Sequence, residues 1–101
     1  MNSEDISRMS TRTLWRVLAA LRAALFTEEC QEDTLALKRA QFEARGLQYD
    51  AAVAGSWLER QTEVCCVLAA RISKVEHELR WRVVEELGLP MPQVYCGRKA
   101  A

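Results

Sequence analysis

The chain has 101 residues, about one domain, with 14 basic and 14 acidic side chains, so bulk charge does not mark a nucleic-acid binder. Ala (14) and Leu (12) far outnumber Val and Ile together (10), and Pro (2) and Gly (4) are few, which favours helices over a β-sandwich or barrel. Half the residues are apolar, which excludes collagen-like and disordered classes. The longest uncharged apolar runs fall well short of the ~18 residues of a membrane span.

The first predicted helix begins near Ser3 or Ser10 and ends near Glu29. Leu14, Val17, Leu18, Leu21, Ala24 and Leu25 share one face at helical spacing. Arg8, Arg12 and Arg16 stack one turn apart on the opposite side. Ala19 and Ala23 continue that stripe, and Trp15 flanks it. No acid occurs between Ile6 and Thr27. Glu28, Glu29, Glu32 and Asp33 then read as an acidic turn suited to the start of another helix. The second predicted helix runs from Asp33 or Thr34 to Arg45. It has a weak seam of Leu35, Lys38, Arg39 and Phe42, and another of Leu37, Ala40 and Ala44. Gly46 reads as its C-terminal cap, with Leu47 as the accompanying hydrophobic contact.

The third helix is the longest. Ser56 and Glu59 form a capping-box pattern, and Asp50 offers an earlier start. No breaker follows until Gly88-Leu89-Pro90. Trp57 to Leu87 alone spans about 45 Å at 1.5 Å per residue. The main apolar face reads Trp57, Gln61, Val64, Leu68, Ile72, Val75, Leu79, Val83. That is an 11-residue repeat, which predicts a nearly straight or slightly right-handed supercoil. A second apolar patch carries Cys66, Ala70, Trp81 and Val84, with His77 among them. Two shorter helices cannot cover both faces of such a rod, so the pattern predicts a homo-oligomer with the third helix as its spine. The competing reading is a monomeric three-helix bundle with Trp81 partly exposed. Gln61 either fixes the register of the oligomeric seam or sits at its rim. The fold class is all-α: three helices in a single domain over 1–88, then an extended tail over 89–101.

The Arg8/Arg12/Arg16 stripe, with Trp15 beside it, is spaced to meet phosphates or an acidic partner helix. The alternative is a solvated helix face. Glu76 and Glu78 with Arg80 and Arg82 read as helix-surface charge pairs. His77 is the only histidine, and Cys30, Cys65, Cys66 and Cys96 contain no C-x-x-C pair, so free thiols are expected rather than a metal site. No motif points to catalysis, a cofactor or a small-molecule substrate. Arg16 and Arg22 interrupt the stretch where a secretory signal would be uncharged. A mitochondrial presequence over 7–25 is the rival to a cytoplasmic location, and Glu4 and Asp5 count against it.

Residues 35–79 resemble the portion of phage terminase small subunits that follows their DNA-binding region. The likeness rests on Leu35, Leu37, Lys38 and Arg39 in a helix that ends at Gly46. Val53 and Trp57 follow, four apart, and then Val67-Leu68-Ala69-Ala70-Arg71-Ile72 within a long helix. The resemblance implies a ring-shaped homo-oligomer that docks viral DNA to a larger motor subunit. The expected function is therefore a non-enzymatic helical assembly or adaptor protein, with a protein partner and DNA as its contacts. The alternative is a small helical phage-type inhibitor that blocks a larger protein.

Overall fold

Ser10 sets where the main body of the chain begins. Its backbone is extended (φ −64°, ψ 154°), and its hydroxyl oxygen accepts the Thr13 N–H at 3.1 Å, capping a helix that then meets no Gly or Pro until Gly46. In this computed structural model, which describes residues 3–88 with side chains from Ile6 onward, the chain forms three helices. These are α1 (Ser3–Arg8), α2 (Thr11–Ala44) and α3 (Gln48–Leu87). No strand occurs among the described residues. The tail predicted over 89–101, with Cys96, lies outside them, as do the stop residues Leu89 and Pro90.

The all-α class and the long C-terminal helix agree with the sequence reading, but the helix boundaries differ from it. The expected acidic turn at Glu28–Asp33 does not form, and both predicted N-terminal helices merge into the 34-residue α2. Acidic residues favour a helix N-terminus but do not break a helix, and neither Gly nor Pro is present there to favour a break. The reversal falls at Gly46 instead. Its φ of 73° is strained for any side-chain-bearing residue. The Gly46 N–H donates to the Glu43 carbonyl (3.1 Å) and the Leu47 N–H to that of Phe42 (2.9 Å), which is the Schellman closure. That turn starts α3 at Gln48, so Ser56 and Glu59 lie inside the helix and Ser56 caps nothing. Asp50 falls in the first turn. Gly88 closes α3 with φ 67°.

α3, at 40 residues, is about 60 Å long, which matches the 61 Å long axis of the molecule. The radius of gyration is 19.0 Å, against roughly 13 Å for a globular chain of this size. The body is thus an antiparallel helical hairpin, and each long helix has most of its circumference free.

The helices meet along two seams with alternating steps of three and four residues. α2 contributes Leu14, Leu18, Leu21, Leu25, Glu28, Glu32, Leu35, Arg39 and Phe42. α3 contributes Ala51, Ala54, Leu58, Gln61, Cys65, Leu68, Ile72, Val75, Leu79 and Arg82. This is a heptad repeat, not the 11-residue repeat expected, and it replaces Trp57, Val64 and Val83 by their neighbours Leu58, Cys65 and Arg82. The three large residues sit one step, about 100°, round the helix and are exposed. Leu14, Leu18 and Val75 are fully buried, and with Ile6, Ile72 and Leu79 they form the core. α1 closes that end of the hairpin.

Candidate functional site

The N-terminal basic group is divided by the fold. Arg8 ends α1, while Arg12 and Arg16 lie one turn apart on α2, so the break at Met9-Ser10 interrupts the expected continuous stripe. All three guanidiniums are exposed, and Trp15 beside them is 54% exposed. The groups are available to a phosphate or a carboxylate, and α1 and α2 hold them near one end of the rod.

The main apolar face of α3 divides in two. Ile72, Val75 and Leu79 are buried in this chain's own core, and Leu68 is half-buried against α2. Trp57, Val64 and Val83 remain exposed. Gln61 acts within the chain: its Nε2 donates to the Glu28 backbone carbonyl at 3.1 Å and to the Glu28 carboxylate. It thereby fixes α3 against α2 at mid-length. On the second apolar patch Cys66 and Ala70 are exposed and Val84 is half-buried. Trp81 is buried, and its indole N–H donates to the Glu85 carboxylate.

Trp57 and Val64 belong to a wider exposed flank. Val53, Trp57, Val64 and Val67 recur at steps that keep them on one side of α3, with Arg60 between Trp57 and Val64 and Arg71 one turn beyond Val67. Arg60 lies over the Trp57 ring, 5.2 Å from its centroid. An open groove of about 560 Å³ runs beside this flank, lined by Ala24, Glu28, Arg60, Val64, Val67 and Arg71 among others. Val53 and Val67 could have been found from their spacing to Trp57 and Val64.

Arg82 carries a role that its neighbours in sequence do not announce. The i,i+4 pair with Glu78 forms at 3.1 Å but is half-buried, not on the helix surface as expected, and Arg80 approaches Glu76 at 4.0 Å. Arg82 also reaches across the molecule. Its Nη2 donates to the carbonyls of Ile6 (3.3 Å) and Ser7 (3.2 Å), and its Nη1 to the Thr11 hydroxyl (3.1 Å). A cation placed on the last carbonyls of α1 satisfies them and opposes the helix dipole. Arg22 ties α2 to α3 through Glu76 at 3.0 Å.

The acids read as a turn have a different consequence. Cys65 is buried in the seam, and burial pushes its thiol pKa up; Glu32, Glu29 and Glu28 push it the same way. Cys30 and Cys66 are exposed. Among the described residues no group of three or more His, Cys, Asp or Glu could hold a metal, and no helix is long and apolar enough to cross a membrane. Comparison of the chain with protein-family models, with curated proteins and with solved structures finds no match.

Proposed function

We propose that the chain is a non-enzymatic helical assembly or adaptor protein that works as a homo-oligomer. The observation that carries this reading is the exposure of large apolar side chains along both helices of a two-helix rod. Trp57 and Phe26 are 55% and 70% exposed, and Val53, Val64, Val67 and Leu37 are exposed with them. A monomer rarely leaves so many large apolar side chains in water along two helix faces. A helical hairpin buries one side of each helix, and association covers the others.

The exposed Arg8, Arg12, Arg16 and Trp15 supply a polar contact surface at the end of the rod. The resemblance to phage terminase small subunits supports duplex DNA as its ligand, with DNA packaging as the setting. The test is light scattering after gel filtration, under reducing conditions, with and without duplex DNA. A defined oligomer whose mass rises with DNA supports the packaging reading. An oligomer indifferent to DNA refutes the DNA contact and leaves a protein scaffold. A monomer of 11.5 kDa refutes assembly and favours a small inhibitor of a larger protein. Where DNA binds, Arg12→Glu weakens binding and lowers its salt dependence.

A further inference from the structure

The outer face of α2, turned away from α3, carries a stripe of its own: Ala19, Ala23, Phe26, Cys30, Asp33, Leu37, Ala40 and Ala44. Every one of these residues is exposed, with Phe26 at 70% and Leu37 at 60%. The steps alternate four and three, the spacing that keeps a seam against one straight partner helix. The stripe extends about 38 Å at 1.5 Å per residue.

Its order is symmetric. Outward from the midpoint between Gln31 and Glu32 it reads Cys30, Phe26, Ala23, Ala19 in one direction and Asp33, Leu37, Ala40, Ala44 in the other. A small residue answers a small one and a large residue answers a large one. A two-fold interface needs this self-complementarity, because each position meets its counterpart from the other copy. We propose that a second copy of this chain packs antiparallel on the outer face of α2. Phe26 then lies against the other copy's Leu37, and the alanines lie against alanines. This rests on the self-association proposed above and specifies its geometry.

The charges beside the stripe favour the same orientation. In the antiparallel arrangement Arg22 of each copy falls opposite Glu43 of the other, and Thr27 opposite Thr34. Within one chain Arg22 already pairs with Glu76 at 3.0 Å and Glu43 with Arg39 at 3.1 Å. The contact therefore joins two ion pairs into an alternating network, Glu76–Arg22–Glu43–Arg39, formed twice by symmetry. A parallel pair would leave Arg22 opposite Thr27, with no compensating ion pair. A shallow concavity of about 540 Å³, lined by Phe26, Thr27, Cys30, Gln31, Thr34 and Leu35, lies next to the two-fold position.

The geometry is tested by disulfide trapping. In the full chain with Cys65→Ala, Cys66→Ala and Cys96→Ala, Asp33→Cys places a thiol opposite Cys30 of the second copy. Mild oxidation is expected to give a covalent dimer, and adding Cys30→Ala is expected to reduce its yield at least ten-fold. An undiminished yield would overturn the antiparallel arrangement. A second variant, Ala40→Glu, alters only an exposed α2 position and is expected to lower the mass by light scattering at unchanged helicity. If Ala40→Glu keeps the wild-type oligomeric mass while Val64→Glu lowers it, the α2 interface is refuted and assembly through the α3 flank stands. A wild-type chain that is monomeric throughout refutes both.

Discussion

The two ends of the hairpin are held together differently. At the end near the chain's N-terminus, α1 packs over the meeting of α2 and α3. Leu14, Leu18 and Val75 are sealed there, with Ile6, Ile72 and Leu79 around them. Towards the Gly46 turn no third helix is present among the described residues. The seam there is built from Ala51, Ala54 and Gly55, with Leu35, Leu58 and Phe42 half-buried, and the Arg39 guanidinium lies across Gly55. Between them the seam is polar, with Glu28, Glu32, Gln61 and Cys65. Large apolar side chains are sealed only where three helices converge. Where two helices meet alone, the seam uses small residues that permit close approach, and larger side chains are left facing outward.

The comparison is broken most directly by cavities. Leu18→Ala empties a fully buried position and is expected to cost about 2–5 kcal/mol, whereas Leu58→Ala, half-buried near the turn, should cost about 1 kcal/mol. Urea denaturation of both variants measures the difference. Equal costs would mean that the turn end is as tightly packed as the other. Next in size is Arg82→Ala, which removes the donors on the Ile6 and Ser7 carbonyls. A loss of about 1.5–3 kcal/mol is expected, with faster amide exchange confined to α1 and the first turn of α2. Uniform acceleration along α3 would contradict a local anchoring role.

The smallest effect concerns Cys65. Its folded pKa is raised by burial and by Glu32, Glu29 and Glu28, so alkylation near neutral pH is expected to modify Cys30 and Cys66 well before Cys65. The folded state holds this thiol protonated. Its contribution to stability is complete below the ordinary thiol range and is lost as pH rises from that range to the raised pKa. Equal alkylation rates for Cys65 and Cys66 would contradict a closed mid-seam.

The helix ends at Ser10, Gly46 and Gly88 and the apolar residues were legible in sequence; the other helix boundaries and the side that each residue faces were not. Gly46 and Gly88 could be read because positive φ is a demand that few residues besides Gly meet. Ser10 could be read because a hydroxyl before a periodic run is an N-cap pattern. The acids from Glu28 to Asp33 and the Ser56/Glu59 pair misled for one reason: signals that favour a helix start do not create one inside an uninterrupted helix. Trp57, Val64 and Val83 drew the seam one residue aside because hydrophobicity reports affinity for burial, not the direction of the neighbouring helix. The buried face was fixed by where the Gly46 turn returned α3 onto α2. Arg82 was legible only as a partner of Glu78, since its other acceptors are Thr11 and two backbone carbonyls more than 70 residues away. Of the outer α2 stripe, Ala19 with Ala23, and Leu37 with Ala40 and Ala44, were visible as fragments. The false turn between them hid their continuity.

Whether the exposed faces are covered by further copies of the chain is settled most directly by sedimentation equilibrium of the wild-type protein over a wide concentration range in reducing buffer. A mass of at least twice the 11.5 kDa chain, falling only on dilution, is the expected result. A constant 11.5 kDa at every concentration would contradict self-association and leave the apolar faces to a different protein.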